Sequence, residues 1–276
     1  ALPYHCLKDD MYEKIYQETE GNTFFIVEYI NSLLHNKEMD IMSARMNDIL
    51  KSRFIGVSED GFKILNISSI FFDCISVDML AEISGMDKLK LLDILDDLMK
   101  RFILKESNNE LPPSIIFTHQ KLREFIYNMQ SISRRQILHN RIGRMFESKL
   151  TGDNRDIALY PRLIYHFSNC GDIESALKYN IKLASFYLDI NHELFPILDE
   201  SGRKNINNPC LRNDDSCKLI NNIEEQLTKL KELHVDTEEA KKLEIAFYHM
   251  KGRYFIRQGQ YETGIVLIKE MIDSAL

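Results

Sequence analysis

The chain has 276 residues, with 44% hydrophobic and 28% charged side chains, which is the composition of an ordinary globular protein long enough for two or three domains. No stretch approaches the ~20 uncharged apolar residues of a membrane span, so a transmembrane protein is excluded. The balance of 35 basic against 42 acidic residues leaves −7, which works against unspecific binding to nucleic acid or anionic lipid.

The first residues, ALPYHCLKDDMYEK, lack a basic region followed by an apolar one, so no signal peptide is expected. The start without Met and an end inside a helical pattern lead us to expect a piece of a longer polypeptide. Five scattered cysteines without a CxxC pair (Cys6, Cys74, Cys170, Cys210, Cys217) fit reduced thiols and a cytoplasmic location.

In chain order, the apolar positions between Met11 and Asn36 predict two helices broken at Gly21-Asn22. Residues 41–55 form an amphipathic segment, and Ser58-Glu59-Asp60 opens a helix carrying Phe62, Ile64, Leu65 and Ile67. Ser76 reads as the N-cap of VDMLAEISG and Gly85 as its end. DKLKLLDILDDLMKRF then forms a second helix, with Leu89, Leu92, Leu95 and Leu98 expected on one face. ILKE and SIIFTH alternate as two short strands around the turn NNELPP, and the helix KLREFIYNM follows. Helices, a two-stranded wing and a helix predict a winged-helix-like module over 41–130.

From residue 131 the chain reads as helical, beginning with SRRQILHNRIGRMFESK. Two later segments share a spacing. Leu163, Phe167, Gly171, Ala176 and Tyr179 in the first, and Tyr248, Gly252, Phe255, Gly259, Tyr261 and Gly264 in the second, place apolar residues, a tight turn and small contacts where an antiparallel helix pair needs them. Both fit a tetratricopeptide-like pattern, so residues 131–276 are expected to form a helical repeat arm. A polar tract at 199–217 is expected to interrupt it as a loop. The predicted fold class is therefore mainly α, with residues 1–40 a helical segment ahead of the winged-helix-like module.

Three strings carry a family resemblance. GNTFFIVEYI at 21–30 resembles the GNPFFLEEL motif that follows the ATPase core in STAND-class signal-transduction ATPases, especially the large ATP-binding regulators of the LuxR type. FTHQKLREFIY at 117–127 resembles their FRHALLREAVY motif, and SRRQILHNRIGRMFE resembles the arginine-rich helix that comes next. The resemblance implies that residues 1–40 are the lid remnant of an ATPase module. It further implies that ATP or ADP is bound in a full-length parent, that an N-terminal P-loop ATPase domain is a partner of this chain, and that a protein or small-molecule inducer acts on the repeats. No G-x-x-x-x-G-K-[ST] occurs in the sequence, so this chain alone is expected neither to bind nucleotide nor to be an enzyme. Thr23 stands where the motif has Pro.

His119 matches the family position that faces the nucleotide β-phosphate. An imidazole there can donate to phosphate, while a strand-end histidine can equally cap the following helix. Arg123, with Thr118 and Glu124 beside it, reads either as a phosphate or carboxylate partner or as a solvated helix face. Gly21 and Asn22 read either as a contact to the adenine side or as a helix-breaking turn. Arg134, Arg135, Arg141 and Arg144 make a local basic helix, but Asp93, Asp96 and Asp97 on the candidate recognition helix oppose DNA phosphates, so direct DNA binding is not expected. The remaining histidines show no ligand spacing and no metal site is expected. The competing function is a protein-interaction scaffold of tetratricopeptide type without nucleotide dependence.

Overall fold

The computed structural model describes residues 44–107, 113–188, 213–233 and 237–275, preceded by residues 12–13, 15–16, 21, 23, 26–27 and 30. Those before residue 44 are helical apart from Gly21, which sits in a turn. Asn22, the turn at 108–112 and residues 199–212 of the polar tract lie outside the described residues, as does most of 1–40. Among the described residues the chain is mainly helical, with eleven α-helices and one small antiparallel sheet. It divides into two compact units, Ala1–Arg135 and Gln136–Leu276.

In the first unit, helix α1 (Ala44–Arg53) leads into α2 (Glu59–Ser68), whose N-cap Ser58 accepts the Gly61 amide at 3.0 Å. That side chain satisfies one of the amides left without an intrahelical partner at a helix start. Strand β1 (Ile75–Ser76) runs directly into α3 (Val77–Ser84). Ser76 caps α3 through the Met79 amide, and Gly85 ends it at φ +68°. Asp87 accepts the amides of Leu89 and Lys90 to start α4 (Lys88–Lys100).

The buried face of α4 is Leu91, Leu95 and Leu98. Leu89 is 75% exposed and Leu92 44%, so the stripe expected from Leu89 and Leu92 is turned away from the core. The reason is periodic: the set 91, 95 and 98 has the same helical spacing as the set first read, and only neighbouring elements decide which one is covered.

Helix α4 ends on Phe102 at φ +55°, the left-handed conformation usually given to Gly, with Ile103 N–H bonded to the Leu98 carbonyl at 3.1 Å. Strand β2 (Leu104–Ser107) then pairs antiparallel with β3 (Ser114–Phe117), Leu104 opposite Phe117 and Ser107 opposite Ser114. β1 pairs with the other edge of β3, Ile75 opposite Ile115, giving the order β1-β3-β2. The expected two-stranded wing is thus a three-stranded sheet. A two-residue strand whose second residue is also a helix cap leaves no alternation to read.

Helix α5 (Gln120–Met129) buries Leu122, Phe125 and Ile126, and the Phe125 ring stacks on Phe54, in the turn just after α1, at 5.6 Å between centroids. Helix α6 (Ile132–Glu147) contains the division between the two units.

The second unit continues through a short 3-10 turn at Asn154–Ala158 to α7 (Tyr160–Cys170) and α8 (Ile173–Tyr187). Leu163, Phe167, Ala176 and Tyr179 are all buried, and Gly171 turns the chain at φ +82°. Helix α9 (Asn213–Glu232) begins within the polar tract, so residues 213–217 are helical and not part of a loop. Helices α10 (Glu238–Arg257) and α11 (Tyr261–Ala275) repeat the hairpin geometry around Gly259 at φ +81°. Here the two backbones touch. A Cβ on Gly264 would lie 2.6 Å from the Gly252 carbonyl oxygen, and one on Gly252 would lie 3.0 Å from the Gly264 carbonyl oxygen. Tyr261, expected inside this hairpin, is 62% exposed.

Candidate functional site

The sequence-predicted residues Thr118, His119, Arg123 and Glu124 come together where β3 passes into α5. Thr118 extends the sheet: its N–H donates to the Ile103 carbonyl at 3.0 Å, and its hydroxyl donates to the Phe102 carbonyl at 2.7 Å. That hydroxyl bond fixes the strained turn at Phe102 and commits Thr118 to the fold.

His119 is the N-cap residue of α5, with extended backbone, and its carbonyl accepts the amides of Leu122 and Arg123. Its imidazole makes no side-chain cap bond. The capping role that the strand-end position suggested is therefore filled by the backbone, and the ring is half-buried beside the start of the helix.

Arg123 lies one turn further on. Its Nε donates to the Gln120 side chain at 3.1 Å and its Nη1 to the Ser69 carbonyl at 3.0 Å. Ser69 is the C-cap of α2. A guanidinium at a helix C-terminus satisfies a carbonyl and meets the negative end of the helix dipole. Gln130 reinforces the tie, donating to the Asn66 carbonyl at 3.2 Å and to the Ser69 hydroxyl at 2.9 Å. Glu124 is held on its own helix by Lys121 at 3.1 Å and by the Gln120 amide. The solvated-face reading of Arg123 does not describe this arrangement: the side chain is half-buried and pins α5 to α2.

Gly21 occupies a turn at φ +74°, with the Tyr16 ring 3.4 Å from where its Cβ would stand. The bonds of Thr118 and Arg123 run to the α4–β2 turn and to α2, not to this turn.

Two of the arginines of α6, Arg135 and Arg144, have local partners. Arg135 lies over the Tyr127 ring at 4.7 Å. Arg144 pairs with Glu147 at 2.8 Å and Asp172 at 2.7 Å while stacking on Phe167. Burial works against the charged form of Glu147, but bonds from Tyr179 and Arg144 hold its carboxyl below the usual range. On α4, Asp93, Asp96 and Asp97 are exposed, and Asp97 pairs with Arg101 at 2.7 Å.

One pairing had no signature in the sequence. His139 of α6 and His166 of α7 are both buried, with Nδ1 atoms 3.0 Å apart. One ring must donate and the other accept, so the pair is satisfied when both are neutral. Burial first, then His139 and Arg162, push His166 down to about 3. The Phe146 ring stacks on His166 and Tyr165 meets it edge-on. Their 27-residue separation spans a helix end and a turn, a distance no local motif encodes.

Among the described residues no group of three or more His, Cys, Asp or Glu side chains could hold a metal ion, and no helix is long and apolar enough to cross a membrane. Compared with known proteins, the chain matches no family model, no curated protein and no solved structure.

Proposed function

We propose that the chain is the regulatory middle portion of a STAND-type ATP-binding signal transducer, a cytoplasmic transcriptional regulator resembling the large LuxR-type proteins. The observation that carries the reading is the order of three strings on one chain: GNTFFIVEYI, then FTHQKLREFIY, then SRRQILHNRIGRMFE. The second string supports it further, because His119 falls where a strand becomes a helix. The finer fold reading belongs to the same proposal. Helices α3 and α4, the β2–β3 hairpin and α5 are taken as a winged-helix-like module, and the hairpins turned at Gly171 and Gly259 as tetratricopeptide-like repeats.

The residues present fit the nucleotide in part. His119 can supply an N–H donor to a phosphate at the head of α5. Arg123 spends two of its five guanidinium donors inside the fold, on the Ser69 carbonyl and the Gln120 side chain. In the proposed switch, ADP held by a P-loop domain upstream keeps the parent closed, and an inducer on the repeats shifts the balance toward exchange and assembly. Catalysis, if the parent performs it, is assigned to the P-loop domain and not to this chain.

The test has two arms: reading the coding sequence ahead of Ala1 for a Walker A motif, and titrating ADP into the parent and its His119→Ala variant. A Walker A motif with at least about tenfold weaker ADP binding in the variant supports the reading; tenfold is the ~1.4 kcal/mol of one charge-assisted hydrogen bond. No P-loop, or unchanged affinity, refutes it. That result favours the second reading, a nucleotide-independent interaction scaffold, for which the close-packed α10–α11 hairpin is the supporting observation.

A further inference from the structure

Over residues 132–141 of helix α6 the side chains are exposed or half-buried with one exception, His139, which is fully buried. The other buried residues of the helix, Ile142, Gly143 and Phe146, all follow it. The anchor of the earlier stretch is therefore an imidazole, and it rests on a second one, His166 of α7, with the Nδ1 atoms 3.0 Å apart. One proton fits between those nitrogens. Protonating the accepting ring sets two N–H groups face to face. Protonating the donating ring at its far nitrogen keeps the bond but leaves a cation in a buried site. Tyr165 of α7 meets both rings edge-on, and Arg162 of the same helix opposes a charge on His166. The end of α6 is held without imidazole. Arg144 bonds Glu147 and Asp172, and Glu147 also accepts the Tyr179 hydroxyl at 2.6 Å and lies 3.7 Å from Lys178. Side chains of these kinds, unlike imidazole, keep their charge between pH 7 and 5.

We propose that the His139–His166 pair is an acid-operated latch: as the pH falls through the imidazole range, residues 136–141 of α6 come off α7 and unwind, while Arg144 and Glu147 keep the end of the helix in place. Opening gives both rings to water, where an imidazole takes up a proton near pH 6.5. Closed, burial first and then His139 and Arg162 hold His166 down to about 3. The open form therefore binds more protons and gains as the pH falls, and the closed form keeps its full advantage only above 6.5. Through His166 alone the open population rises roughly 25-fold between pH 7 and 5. Any opening that wets the rings gains this factor, unfolding of the whole unit included. Release of 136–141 comes first because His139 is the one buried side chain of that stretch, and opening costs least where few buried contacts are lost. A helical stretch this short does not persist in water once its packing is gone. The inference rests on side chains of the second unit and is independent of any nucleotide.

The test is amide hydrogen exchange by mass spectrometry on the whole 276-residue chain from pH 7 to 5, with labelling times scaled to the intrinsic amide rate. Residues 136–141 are expected to lose protection at least about tenfold, starting near pH 6.5, while α10 and α4 keep theirs. The double variant His139→Asn with His166→Asn removes both titrating groups and leaves amides that can bond each other, so its protection over 136–141 no longer depends on pH. Unchanged protection in the unsubstituted chain overturns the proposal. A loss shared equally by α10 overturns it too, because the whole unit has then unfolded, as does a loss that begins only below pH 5, where carboxylates titrate. So does a folded double variant that keeps the pH dependence. If circular dichroism shows the double variant unfolded, the onset and the confinement of the loss in the unsubstituted chain decide alone.

Discussion

Gly264→Ala is expected to destabilise the second unit although alanine is the better helix former. The added methyl would stand 2.6 Å from the Gly252 carbonyl oxygen, 2.6 Å from Ile256 Cγ1 and 3.1 Å from the Ile256 nitrogen. Relaxed carbon contacts lie at about 3.5–4.0 Å, so α10 and α11 must part by most of an ångström. The Ile256 side chain can rotate, but the two backbone atoms cannot yield without moving the helix. Overpacking of this kind costs up to about 3 kcal/mol, and helix propensity returns about 1, leaving a net loss of about 2 kcal/mol. The thermal midpoint then falls by roughly 4–8 °C for a unit of this size. Urea unfolding followed by circular dichroism measures it, with Gly252→Ala and the double variant alongside. Both glycines guard one approach, so the double variant loses less than the sum. Ala176, at the position of α8 that corresponds to Gly264, serves as the opposite control: it is buried and already alanine, and Ala176→Gly is expected to destabilise by about 1 kcal/mol. A Gly264→Ala protein as stable as the parent would refute the close-approach reasoning.

Two further outcomes follow from polar groups that the fold places inside. The His166 proton is taken up by the unfolded chain near pH 6.5 but by the folded one only near 3, so stability is highest above 6.5 and falls as the pH drops through that window. The loss reaches about 2 kcal/mol by pH 5. His166→Asn, whose amide can still meet His139, is expected to flatten the dependence while lowering stability at neutral pH; an unchanged slope in urea midpoints between pH 7 and 5 removes His166 as its source. Arg123→Ala is expected to cost about 1–3 kcal/mol and to raise amide exchange in the last turn of α2, where Ser69 loses its donor; exchange unchanged at Ile67–Ile70 would show that Gln130 holds the helix end alone.

How much of this was legible from residues alone depends on the range of the signal. Ser58, Ser76, Gly85, Gly171 and Gly259 act within one turn of themselves, and each stands where the sequence placed a helix start or end. The strands around 104 and 117 were likewise readable from alternation. Leu95 and Leu98 of α4 are buried as expected, but the choice of Leu91 over Leu89 and Leu92 beside them was not legible, because either completes a helical stripe and only the position of neighbouring elements chooses. The start of α9 escaped for a related reason: Asn213, Asp214 and Asp215 are cap and turn formers by composition, yet here they begin a helix whose stability comes from Ile220, Ile223 and Leu227 further along. His139 with His166, and Arg123 with Ser69, are contacts across 27 and 54 residues, where no periodicity reaches.

The Arg123 bond also changes how the candidate site must be tested. Motif position alone gives His119 and Arg123 the same standing, two donors near a phosphate. In the fold they hold different elements: His119 caps α5 through its backbone carbonyl, whereas the Arg123 guanidinium closes the C-terminus of α2. An Arg123 variant that loses ADP affinity has therefore also loosened the contact between α2 and α5, and its loss of binding follows from either cause. His119→Ala leaves the α2–α5 bonds and the backbone cap of α5 in place. A change in nucleotide affinity in that variant, with α2 exchange unaltered, reports on the imidazole itself, and this is why the sensing hypothesis stands or falls on His119.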